Sequence, residues 1–89
     1  MLAVITVTGR DTVGVLAKVC GECAAMNANV IDVSQTVMQG LFAMIMMVDI
    51  DQINCEFSEM IDRLEALGQG MGYVIHVMHE DIFNAMHRI

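Results

Sequence analysis

A chain of 89 residues has room for one hydrophobic core and excludes a second, so it is read as a single domain. Hydrophobic residues make up 56% of it and charged residues only 17%, which leaves apolar surface over for a partner. Eleven acidic residues against four scattered basic ones, Arg10, Lys18, Arg63 and Arg88, give a net charge of −7, which excludes nucleic acid and anionic membrane surfaces as partners.

The longest apolar run, residues 41–48, is far shorter than the roughly 20 residues that span a bilayer. No basic flank or cleavage site of a signal peptide opens the chain, so a soluble cytoplasmic protein is expected. Three cysteines, an odd number, fit free thiols in a reducing compartment. With no proline, no rigid linker is signposted.

Residues 2–8 are rich in Val, Ile and Thr, and Ala3, Ile5 and Val7 form an apolar face; the stretch reads as a strand. Gly9-Arg10-Asp11-Thr12-Val13-Gly14-Val15-Leu16 follows as a tight turn and a helix start. Asp11 is placed to cap that helix by accepting from the N–H groups of Val13 and Gly14. Gly14 then falls at the third helical position, where a glycine costs stability. Its presence marks either close approach of another chain or a small ligand, or close packing of helix on sheet. A helix start also favours a carboxylate or phosphate.

From Val13 to Met26 the residues Leu16, Val19, Cys20, Cys23 and Met26 keep helical spacing, opposite Lys18 and Glu22. Asn27-Ala28-Asn29 is a stop and turn, since asparagine tolerates a left-handed conformation. Residues 30–38 alternate Val30, Asp32, Ser34, Thr36 against Ile31, Val33, Gln35, Val37, a second strand. Gln39-Gly40 makes a hairpin turn into a third strand over residues 41–50. Both faces of that strand are apolar, Leu41, Ala43, Ile45, Met47 and Phe42, Met44, Met46, Val48, so both need cover.

Asn54 is read as the cap of a second helix with Phe57, Met60, Ile61, Leu64 and Leu67 buried and Gly68 at its end. Residues 71–78 form a fourth strand, with Met71, Tyr73, Ile75 and Val77 on one face. Residues 81–89 form a short terminal helix burying Ile82, Phe83, Met86 and Ile89. Right-handed crossovers then give an α+β, ferredoxin-like βαββαβ sandwich: a four-stranded antiparallel sheet with two helices on one face. The other face is left bare, and a second copy of the chain is the simplest cover, so a homodimer is expected with the Met-rich strand near the contact.

No catalytic constellation emerges. Ser34 and Ser58 have no glycine elbow, and no phosphate-cradling pattern is present; Arg10 alone is a weak stand-in for an acylphosphatase loop. Cys20-Gly21-Glu22-Cys23 has the spacing of a redox or metal pair, but it lies mid-helix on the apolar stripe, where cysteine acts as a small hydrophobe. His76 and His79 point to opposite faces of a strand, and with His87 they are read as surface or packing residues, not metal ligands. The methionines are read as gap filling in the core.

These residues together resemble an ACT domain, in particular the small stand-alone members. The resemblance is carried by the opening strand with its Gly9-to-Leu16 segment, by Asn29-Val30-Ile31-Asp32, by Ser34-Gln35-Thr36 and by Phe42-Ala43-Met44. It implies a non-catalytic regulatory module that pairs through its sheets or strands and binds an amino acid or similar effector at the interface, with no metal or cofactor. In that pattern the first loop of one subunit faces the start of the second strand of its neighbour. The effector carboxylate would meet backbone N–H groups at Thr12, Val13, Gly14 and Val15, and its ammonium the side-chain oxygens of Asn29, with Asp11 or Asp32. Two departures stand out: Thr12 occupies a position where many members carry proline, and no enzyme or DNA-binding domain accompanies the module, so its signal would pass to a separate protein.

Overall fold

The computed structural model describes residues 1–10 and 14–86; residues 11–13 and 87–89 lie outside the described residues. The elements run β1 (Leu2–Arg10), α1 (Val15–Ala25), β2 (Asn29–Met38), β3 (Leu41–Asp49), α2 (Phe57–Met71), β4 (Val74–His79) and α3 (Glu80–Met86). The four strands form one antiparallel sheet in the order β2-β3-β1-β4, which is the ferredoxin-like arrangement read from the sequence.

The core lies between the sheet and the two long helices. Ala3, Ile5 and Val7 of β1 and Phe42, Met44, Met46 and Val48 of β3 meet Val19, Cys23 and Met26 of the α1 end and Met60 and Leu64 of α2. Met26, Met44, Met46 and Met60 are among the largest fully buried side chains, so thioethers fill the middle of the core. Each such side chain contributes roughly 1.5–3 kcal/mol by leaving water. An ion pair joins the helices, with Arg63 Nε donating to Glu22 Oε1 at 2.9 Å.

Both helices end in the same way. Asn27 is left-handed (φ 62°), Asn27 N–H donates to the Ala24 carbonyl and Ala28 N–H to that of Cys23. At the end of α2, Gly72 is left-handed (φ 77°), with its own N–H on Gln69 and that of Tyr73 on Gly68. These paired bonds close helix ends by satisfying their last carbonyls. The hairpin turn has positive φ at both Gln39 (51°) and Gly40 (79°), the geometry that matches strand twist.

Five expectations are corrected. Gly68 does not end α2; the helix runs on to Met71 and Gly72 ends it. Met71 is therefore helical and β4 starts at Val74. Asn54 does not cap α2, whose N-cap is Glu56; its backbone N–H and its Nδ2 instead donate to the carbonyls of Met26 and Ala25 at the end of α1. In β2 a bulge between Val30 and Asp32 leaves Ile31 without a partner on β3, so Val30 shares the helix-covered face with Val33, not the polar face with Asp32. Finally, α3 buries no residue: Ile82 and Met86 are exposed and Phe83 is half-buried, while Ile89 lies outside the described residues. A helix of seven residues has too little surface against the sheet to turn all its apolar side chains inward.

Candidate functional site

The end of β1 is fixed from the opposite edge of the sheet. β1 runs two residues past its predicted end, so Gly9 and Arg10 are strand. The ring of Tyr73, at the approach to β4, lies flat against Gly9: a Cβ on Gly9 would stand 2.7 Å from the ring. Its hydroxyl donates to the Arg10 carbonyl, and its ring meets Phe42 edge-on, centroids 6.0 Å apart. Tyr73, the one tyrosine in the chain, thereby holds the last residue before the 11–13 segment. It was read from sequence only as a core residue; the signal that it did more was its phenol, which must find a partner when buried.

On the far side of that segment, α1 starts at Val15 and its N-cap is Gly14, left-handed at φ 90° and ψ 1°, with no side-chain cap hydrogen bond. Gly14 is thus not the third helical residue, and the cap is not Asp11. A Cβ on Gly14 would meet no described atom within 4 Å, so the glycine is there for its backbone angle rather than for crowding. The Gly14 carbonyl accepts from Lys18 N–H at 3.0 Å and starts the helix. Gly14 is exposed and Val15 buried. Asp11, Thr12 and Val13 lie outside the described residues.

Asn29 and Asp32 sit elsewhere. Asn29 pairs with Asp49, which pairs with Leu2, whereas Arg10 pairs with Leu41, which pairs with Met38. Asn29 is therefore at the end of the sheet where β1 begins, and the segment toward Gly14 leaves from the end where β1 finishes. Eight residue steps of about 3.3 Å separate these levels, about 26 Å. Both side chains are exposed, and Asp32 Oδ1 accepts from Val33 N–H at 2.9 Å beside the bulge. Within one chain Asn29 and Asp32 thus lie toward the end of the sheet opposite Arg10.

An open groove of about 230 Å³ runs between α2 and β4, lined by Glu65, Gln69, Tyr73, Val74, Ile75 and His76. None of the predicted site residues lines it.

The cysteines behave as core residues. Cys23 is fully buried, and burial, aided by Cys20 and Glu22, pushes its thiol up to about 11, the opposite of an activated redox thiol. Cys20 and Cys55 are half-buried and all three are free. Iodoacetamide at pH 8 is expected to label Cys20 and Cys55 in the folded protein and Cys23 only after denaturation, as mass spectrometry of tryptic peptides would show. Below pH 9 this thiol is neutral in both folded and unfolded chains; above it the unfolded chain loses the proton first, so stability falls as pH rises toward 11. Among the described residues no group of three His, Cys, Asp or Glu side chains is placed to hold a metal. His79 instead faces Asp81, and His76 is exposed on β4; His87 lies outside the described residues.

Among the described residues no helix is long and apolar enough to cross a membrane. Residues 1–78 match the ACT domain family. A UPF0237 protein of Listeria monocytogenes is 48% identical over 89 residues, all of both chains. Among solved structures, an ACT domain protein from Streptococcus pneumoniae is 37% identical with a TM-score of 0.82, covering 98% of each chain. The regulatory subunit of aspartate kinase from Thermus thermophilus, 24% identical with a TM-score of 0.66 over 85% of this chain and 49% of its own, shares the fold.

Proposed function

This chain belongs to the ACT domain family, and from that premise we propose that it is a non-catalytic regulatory module that holds an amino acid or similar small effector between two copies of itself. The observation that carries the reading is the separation of the site's two halves. Arg10, the last described residue before the 11–13 segment, and the side chains of Asn29 and Asp32 belong to opposite ends of one sheet, so a second chain turned end for end is what this reading calls on to bring the two together.

The free edge of the sheet supports such pairing. β2 is an edge strand of ten residues, long and exposed, the kind of edge that recruits another strand. Two β2 edges running antiparallel lay Asn29 of one chain against Met38 of its partner. Arg10 of that partner lies two strand spacings further in, about 10 Å away. The effector carboxylate would then meet the N–H groups of Thr12, Val13, Gly14 and Val15 from one chain, and the ammonium would meet Asn29 with Asp32 from the other. Asp11 is the further acid available for the ammonium. A signal made this way passes to a separate regulated protein.

A thermal-shift screen against the common amino acids tests the reading. A ligand at a hundred times its dissociation constant adds about 2.7 kcal/mol, and each kcal/mol raises the midpoint of a domain this size by roughly 4–8 °C. Asn29→Ala, which removes an exposed side chain, is expected to abolish the shift and leave the unliganded midpoint within about 2–4 °C of wild type. A flat screen on a folded, paired protein would count against an amino-acid effector and favour a module that binds protein alone.

A further inference from the structure

The sheet has a second edge, along β4. This strand is bonded to β1 alone, so every second residue of Val74–His79 turns its N–H and C=O groups outward, where no strand of this chain meets them. Edges that stay unpaired are commonly blunted by lysine, proline or a bulge. Val74–His79 has neither lysine nor proline, and its register with β1 is unbroken. Beside this edge runs the groove of about 230 Å³, walled on its far side by α2. Gly68 lets that helix lie close, since a Cβ there would stand 2.7 Å from Ile75 Cγ1. The groove is smaller than the roughly 300–1,000 Å³ of pockets that enclose a small molecule, and suits one long side chain of a larger ligand. On its α2 wall, Glu65 and Gln69 stand one helical turn apart. Glu65 is half-buried and forms no ion pair with a described cation, whereas Arg63, two residues before it, is held by Glu22 of α1.

We propose that β4 takes up a fifth strand from another protein, an extended segment in which a lysine or arginine stands between apolar residues. Ile75 is buried on the helix side of the sheet, so the residue paired with it on the added strand points to that side, into the groove, where its cation meets Glu65 and Gln69. The residues before and after it point to the other face, beside Val74, which is 55% exposed. Main-chain bonds to the edge supply affinity, and the groove selects the side chain. Charge picks this occupant over a second copy. The chain carries −7, and two copies paired along β4 would bring α2 against α2, each offering Glu65 to the other. The contact lies at the opposite edge from β2, so it leaves the proposed effector site free. That the segment belongs to the regulated protein rests on the regulatory reading; the binding itself does not.

The test is to pan a displayed library of random peptides of about seven residues on the full chain, and to measure the enriched peptides by fluorescence polarisation. Enrichment of lysine or arginine between apolar residues is expected. Glu65→Lys is expected to weaken these peptides at least about tenfold. Glu59→Lys, the same change on the α1 side of the helix one turn before Arg63, is expected to alter them by less than about threefold. Hydrogen exchange followed by NMR on the wild type needs no variant: bound peptide is expected to slow outward amides within residues 74–79 and to leave those of β2 unchanged. An unenriched library, enriched peptides without a cation, or protection that appears only along β2 overturns the proposal. So does protection of the outward β4 amides before any peptide is added, since a second copy then fills the edge. The amino-acid screen reads a different edge, so its failure leaves these results standing.

Discussion

Replacing Tyr73 by alanine is expected to lower the free energy of unfolding by about 3–5 kcal/mol, whereas phenylalanine at the same position costs about 1 kcal/mol. The difference follows from what each change removes. Alanine takes away a ring that is only 4% exposed, lies against Gly9, meets Phe42 edge-on and fills the angle between β1, β3 and the end of α2. A cavity there cannot collapse easily, because Gly9 offers no side chain to fall into it. Phenylalanine keeps that packing and loses only the hydroxyl's bond to the Arg10 carbonyl. That carbonyl is the last described backbone group before the 11–13 segment, so under the proposed effector reading the phenylalanine variant is expected to bind effector several-fold more weakly while losing only about 1 kcal/mol of stability. Urea denaturation gives the first pair of numbers and calorimetric titration the last.

Two glycines of α2, two residues apart, are expected to respond to alanine with opposite signs. At Gly68 the new Cβ would stand 2.7 Å from Ile75 Cγ1 and 2.9 Å from the Tyr73 carbonyl oxygen. Neither atom is the far end of a flexible chain, so helix and strand must separate. Overpacking of this kind costs about 1–3 kcal/mol, offset in part by the roughly 1 kcal/mol that alanine gains over glycine in a helix. At Gly70 a Cβ meets no described atom within 4 Å, and the helix gain stands alone, about 0.5 kcal/mol so near the end of α2. The two thermal midpoints are expected to fall on either side of wild type. Equal destabilisation by both changes would mean that close contact of α2 with β4 is not what Gly68 provides.

Element order and facing were legible in the sequence because they are written in local period. Alternation along residues 2–8 picked out Ala3, Ile5 and Val7, and all three are fully buried. Turn chemistry was equally local: Asn27 adopts the left-handed angle expected of a helix-stop asparagine, and Gln39-Gly40 make the expected hairpin turn. What escaped depends on atoms far along the chain. Gly68 looks like a helix stop until Tyr73 and Ile75 are known to press on it, and Asn54 looks like a cap until the end of α1 arrives to accept its hydrogen bonds. Gly14 was singled out correctly as special, but crowding and backbone angle leave the same mark in a sequence. The bulge at Ile31 is one residue long, too short to disturb a two-residue period visibly. The site residues Asn29 and Asp32 were named by resemblance, and their distance from Gly14 could only come from strand register.

That distance makes protein concentration a variable of its own. Under the effector reading, no single chain can close a grip across about 26 Å of sheet, so a dilute, dissociated chain has nothing with which to hold a small molecule. Association and occupancy are then one linked equilibrium: effector tightens the pair by the same factor by which pairing tightens effector. Apparent affinity would rise with the amount of protein present, and a cell holding little of the chain would need more effector to fill it than a cell holding much.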